Sequence, residues 1–185
     1  MNINWVVATD TELDPSIDLD RIKSIGSIWG SWRTWRGCQT DNVICHNEVR
    51  AKELIDKDFN KVCNFYIANT VYVALDEPDH VHAYGGDFSH DVAEQDDLVA
   101  MHLAASASDI VLLLGFEWQA KPWPTDVQQK LLHHNYVNLI REAVIGNSQT
   151  QWVLVDHDGP IMPELAGLEN LTKDSLENIF GMLTN

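Results

Sequence analysis

Basic residues are scarce in this chain. Twelve lysines and arginines stand against 28 aspartates and glutamates, a formal net charge of −16 over 185 residues. A protein that neutralises nucleic-acid phosphates needs a basic face, so this balance argues against direct binding to DNA or RNA. An acidic protein-interaction module or DNA mimic remains an alternative. The acids, however, are dispersed, with only short clusters such as those at 76–79 and 94–97, and dispersed charge is the pattern of a solvated surface. Cysteine is also sparse: Cys38, Cys45 and Cys63 form no C-x-x-C pair, and their odd number argues against a disulfide framework. The spacing of Cys38, Cys45 and His46 lacks the second half of a zinc site. No apolar run approaches the ~18 residues that a membrane span needs. The opening MNINWVVATD has no basic stretch before its apolar one, so no signal peptide is expected and a cytoplasmic location is. Internal repeats, low-complexity linkers, G-x-S-x-G and the Walker pattern G-x-x-x-x-G-K-[ST] are all missing.

What is present is an ordinary globular composition, 45% hydrophobic and 22% charged, of a length that suits one domain over residues 1–185. Apolar runs of strand length occur at 3–9 (INWVVAT), 109–115 and 151–156. Runs apolar on both faces need cover on both sides, as in a parallel sheet. The β-branched stretch 70–75 (TVYVAL) reads as another strand, and 21–28 as a strand entering a Gly/Ser turn. Asn42–Cys45 and Val81–Tyr84 are weaker candidates. Helical patterns cover 47–67, 94–107, 126–144 and the segment from Thr172 onward. Strands alternating with helices predict an α/β, three-layer Rossmann-like domain with a mostly parallel sheet of about five strands.

The densest chemistry lies in residues 24–37, SIGSIWGSWRTWRG. Guanidinium groups of Arg33 and Arg36 can clamp an anion in a bidentate way. The indoles of Trp32 or Trp35 can stack on a base. Gly26, Ser27, Gly30 and Ser31 offer close backbone approach and hydroxyl donors. Trp29, Trp32 and Trp35 are also spaced i, i+3, i+6, one face of a helix, which is the pattern of a core helix. In a parallel sheet, ligands sit beyond the carboxyl ends of the strands. Three segments follow predicted strands: Asp10 after the first, Ser27 to Arg36 after the second, and Glu117-Trp118 after the central one. Asp10 or Glu117 would take ribose hydroxyls, and Trp118 would cover the pocket. Glu117 or Asp87 is the candidate catalytic carboxylate if the protein turns its ligand over. His80, His82, His90 and Asp91 fall close together, yet loop histidines are commonly surface residues, and no metal or cofactor is expected. His102 reads as a satisfied core histidine.

The Gly/Ser turn, together with the helix running into Ala104-Ala105-Ser106-Ala107-Ser108-Asp109 and the strand after it, resembles the Rossmann-like group of nucleoside deoxyribosyltransferases, TIR domains and SLOG domains. That resemblance implies a nucleoside, nucleotide or NAD-derived ligand. The run GSIWGSWRTWRGCQTDNVICHN is similar to a protein of T-even-type bacteriophages. This second resemblance implies a phage anti-defence protein that sequesters a nucleotide immune signal, such as an ADP-ribose-type or cyclic nucleotide, in the bacterial cytoplasm. The expected partner is thus a nucleotide-type small molecule, without membrane, and with a homo-oligomer open. The alternative is an enzyme acting at the N-glycosidic bond of a nucleoside or nucleotide.

Overall fold

The computed structural model describes residues 1–8, 18–85, 95–116, 127–155 and 161–183, with the side chains of Arg36, residues 127–134 and Leu183 excepted. Its frame is one sheet of eight parallel strands: β1 Ile3–Val7, β2 Ser27–Ser31, β3 Asn42–Cys45, β4 Asn64–Ala68, β5 Val81–Tyr84, β6 Ile110–Leu114, β7 Gln151–Val155 and β8 Leu171–Asp174. The spatial order is β5-β4-β3-β2-β1-β6-β7-β8. Every neighbouring pair is parallel. The chain therefore winds outward from β1 to β5, returns beside β1 as β6, and winds outward the other way. This is the doubly wound, Rossmann-like arrangement, with its reversal between β1 and β6.

Helices cover both faces because the strands are apolar on both. Alternate residues of β1 and β6 diverge. Trp5, Val7, Leu112 and Leu114 meet Ile22 of α1 (Leu19–Ile25) and Ile179 and Phe180 of α7 (Leu176–Leu183). Val6, Val111 and Leu113 meet Leu98, Met101 and Ala104 of α5 (Asp96–Ser106) and Ile140 and Val144 of α6 (Val127–Gly146). On the first face, Val43, Phe65 and Ile67 pack with Ala51 of α3 (Glu48–Ile55), Phe59 of a 3-10 turn (Phe59–Lys61) and Val71 of α4 (Asn69–Ala74). Each parallel step needs such a crossover, and burying a large apolar side chain stabilises the fold by about 1.5–3 kcal/mol. No helix among the described residues is long and apolar enough to cross a membrane.

The α/β class stands, but the sheet has eight strands rather than about five. Residues 21–28 form mostly a helix, α1. Ile22 and Ile25 are three apart, and Asp18 caps the first turn by accepting the backbone N–H of Arg21 at 3.1 Å. The helix expected over 47–67 stops at Ile55. Asp58 takes a left-handed φ of 59° and the chain turns into β4. TVYVAL is helix α4 rather than a strand. Its β-branched residues are overridden because β4 has just ended and the chain must return along the sheet face. Thr172 belongs to β8, and the last helix begins at Leu176.

Gly26 has extended backbone, with φ −173°. A Cβ there would stand 2.0 Å from the carbonyl oxygen of Ile3. The absent side chain is what lets β2 lie against β1. Gly26→Ala should destabilise the protein by about 2–3 kcal/mol through forced separation of the central strands, read as a lower urea midpoint. An unchanged midpoint would refute the close-approach argument. Burial also pushes the Cys38 thiol up to about 11 and those of Cys45 and Cys63 to about 12, from 9.0. The folded state then holds protons that the unfolded state releases above pH 9. Stability should be unaffected by these groups below pH 9 and fall as the pH climbs from 9 towards 11. Cys38→Ala should flatten that fall in urea titrations across the range, and parallel curves for the two proteins would count against it.

Candidate functional site

β2 ends at Ser31, and α2 (Trp32–Cys38) begins at once. The Ser31 hydroxyl accepts the backbone N–H groups of Arg33 and Thr34, both at 3.2 Å, and lies 3.1 Å from the Thr34 hydroxyl. Thr34 in turn donates to the carbonyl of Ala8 at 3.4 Å, tying the first turn of α2 to the end of β1. This cap fixes where Trp32 and Arg33 project. One strand away, β3 ends at Cys45, and Asn47 caps α3 by accepting the N–H of Arg50 at 2.9 Å. α3 thereby carries the Arg50 guanidinium to 4.6 Å from the Trp32 ring centroid, while that of Arg33 lies at 5.5 Å. One indole is thus shared by two guanidiniums, which are weakly hydrated cations suited to aromatic faces.

The opposite wall comes from the start of α5. Asp96 Oδ1 accepts the backbone N–H of His46 at 2.9 Å and lies 2.9 Å from His46 Nδ1. The Asp96 side chain is only 9% exposed and that of His46 is 36% exposed. A carboxylate on Nδ1 assigns the ring proton to that nitrogen in the neutral tautomer. Between these walls lies a cavity of about 400 Å³, completed by Asn47, Gln95 and Asp97. It combines guanidinium donors with carboxylate acceptors, so it can take a ligand with an anionic group at one end and hydroxyl or amine donors at the other. Cys45 precedes His46 at the end of β3, and burial and the neighbouring Asp96 raise its thiol to about 12. It therefore remains a thiol at neutral pH and is a poor nucleophile.

Of the residues singled out in the sequence, Trp32 and Arg33 line this cavity. Ser31 is buried within the cap. Gly30 is packed: a Cβ would meet Thr34 and Thr40 at 3.1–3.2 Å. Gly26 and Ser27 lie at the other end of β2, roughly 13 Å away at ~3.3 Å per residue. Trp29 is a core residue, tilted against Tyr66 at 5.2 Å. Trp35 packs edge-on to Phe59 at 4.8 Å. The three tryptophans do not share a helix face, since Trp29 is in a strand. Arg36 lies in α2, and its side chain is outside the described ones. Asp10, Asp87, Glu117 and Trp118 lie outside the described residues, as do His90 and Asp91. No cluster of three metal-ligating side chains occurs among the described residues. His102 pairs with Asn147 at 3.4 Å, and burial lowers its pKa.

Sequence reasoning overlooked Arg50, His46 as a partner of Asp96, and Asp96 itself. Arg50 was legible only as a helix residue. Asp96 belonged to an acidic cluster that looked like solvated surface, and its one local signal is its place in the first turn of a helix. No protein-family model, curated protein or solved structure matches this chain.

Proposed function

We propose that the protein binds an anionic, nucleotide-derived small molecule in the cavity at the carboxyl ends of β2 and β3, and holds it without converting it. The observation that carries this reading is the gathering of Arg33 and Arg50 on the Trp32 ring at the wall of a 400 Å³ cavity. Two guanidiniums beside an indole suit a phosphate next to a planar ring. Asp96 and Asp97 across the cavity suit sugar hydroxyls. Arg50 also pairs with Glu53 at 2.6 Å, but both are solvent-exposed, and an exposed pair is worth little against an incoming phosphate. The cavity volume is that of a small-molecule site. An interaction module or DNA mimic would expect the Trp/Arg stretch to be buried with no cavity beside it, and Trp32 and Arg33 line one. The choice of an ADP-ribose-type or cyclic nucleotide as ligand, and of sequestration against a bacterial immune signal as the role, rests on the resemblances.

A second reading, an enzyme acting at an N-glycosidic bond of the same ligand class, is favoured by one observation. His46 is held by Asp96 in the same cavity, and an oriented imidazole is what general acid–base chemistry needs. Calorimetric titration with ADP-ribose, its cyclic derivatives and cyclic dinucleotides, followed by chromatography of the recovered ligand, separates the readings. The expected result is binding with the ligand intact, weakened about ten- to a hundred-fold by Arg33→Ala or Arg50→Ala. Recovery of cleaved ligand, abolished by His46→Gln, would replace sequestration by catalysis. Absence of binding across the panel would remove the nucleotide reading.

A further inference from the structure

A second and larger cavity, about 860 Å³, opens at the opposite edge of the sheet, by the amino ends of β3, β4 and β5. Its walls include the end of α2 with Trp35 and Gln39, the 3-10 turn with Asn60 and Lys61, and the approach to β5 with His80 and His82. Three independent features converge on it.

The first is charge. A chain with 12 basic residues against 28 acids places Lys23, Lys61 and two of its eight histidines around this one basin. Asp41 is the acid in its wall and is paired with Lys23, so an anion must compete with it for that ammonium. Oδ2 accepts the backbone N–H of Ile28 at 2.9 Å, and Oδ1 lies 3.6 Å from the Lys23 ammonium. Lys61 contacts Asp58 at 2.7 Å, with side chains 58% and 72% exposed, a surface pair that a better anion can displace. The second feature is polar groups left unpartnered. Thr40 and Asn60 line the cavity at 2% and 8% exposure, and Thr40 Oγ1 and Asn60 Oδ1 are buried without a hydrogen-bond partner. The Asn60 amide is not reversible here, because its nitrogen donates to the Asp79 carbonyl at 2.8 Å. Buried polar groups without partners are rare and call for a reason. The third is backbone conformation. Gln39 and His80 both line the cavity and both hold left-handed φ, 47° and 58°. Gln39 takes it as the C-cap of α2, its N–H donating to the Trp35 carbonyl, so these turns set the shape of the basin.

We propose that this basin is a second ligand site, for a small molecule carrying phosphate or carboxylate groups. Lys23 and Lys61 supply the charge, and His80 and His82 supply imidazole N–H donors. A polyanionic macromolecule is the wrong partner, since the net charge of −16 repels it. The site shares no lining residue with the cavity at the carboxyl ends.

The test is an NMR titration of the full chain with inorganic phosphate, and separately with citrate, at fixed ionic strength, following the imidazole C–H signals. At least one anion should shift the His80 and His82 signals saturably while leaving His102 still. Lys23→Ala combined with Lys61→Ala should weaken that binding by about ten-fold or more. Both lysines are at least partly exposed, so this variant should fold, and its spectrum reports that directly. Arg33→Ala should leave it unchanged, which separates this site from the other. Linear shifts with both anions, or saturable shifts that survive loss of both lysines, would overturn the proposal.

Discussion

Everything in this protein depends on the burial of its central parallel strands on both faces. A strand such as β6, with Val111 and Leu113 turned to one layer and Leu112 and Leu114 to the other, has no wet side. It can exist only between two layers of helix, and parallel neighbours can be reached only by crossing over. Those two requirements set the winding, and the winding puts all the strand carboxyl ends on one edge. Backbone groups there are no longer spent on the ladder, and loops and helix starts from several crossovers meet. The cavity at that edge follows from how the sheet is built. The tight approach of Gly26 to Ile3 belongs to the same constraint, because the two central strands must lie together before either helical layer can close.

α2 is where the Trp/Arg stretch meets that constraint. At seven residues and ~1.5 Å of rise each it is a short helix, but it runs from the carboxyl edge of the sheet toward the amino edge. Its first turn gives Trp32 and Arg33 to one cavity, and its end gives Trp35 and Gln39 to the other. Between them Thr34 presses on Gly30 and links to Ala8. The stretch is thus neither a ligand loop nor a core helix. Strand, cap and helix each take a share: Trp29 goes to the core, Ser31 to the cap, and the flanking indoles to two separate surfaces.

How legible this was depended on whether a feature is local. INWVV, IVLLL and QWVLV announce themselves as buried strands because their apolar runs need no partner to be recognised. β4 did not, since Phe65 and Tyr66 continue the spacing of Leu54, Ile55 and Val62 and so pass for a helical stripe. β8, LTKD, has too few apolar residues to register, being an edge strand with Thr172 and Lys173 exposed. TVYVAL misled in the opposite direction, because local β-propensity is weaker than the geometric need to turn back after β4. The site divides the same way. Trp32 and Arg33 were readable from a concentrated motif. Arg50, His46 and Asp96 were not, because their meaning comes from α3, the end of β3 and the start of α5 arriving at one place.

The charge of the chain sharpens what that assembly accomplishes. A net −16 repels an approaching anion at long range, although salt cuts that repulsion off beyond ~10 Å. An isolated surface cation in such a field is spent on its acidic neighbours, as Lys52 is on Asp56 at 3.2 Å. An anion can be held only where short-range donors are concentrated and partly shielded from water. Arg33 and Arg50 gain that shielding from the Trp32 ring, which attracts guanidinium without neutralising it. The tryptophan therefore gathers two guanidiniums at one cavity wall within an acidic protein, which is the physical reason to look for an anion there.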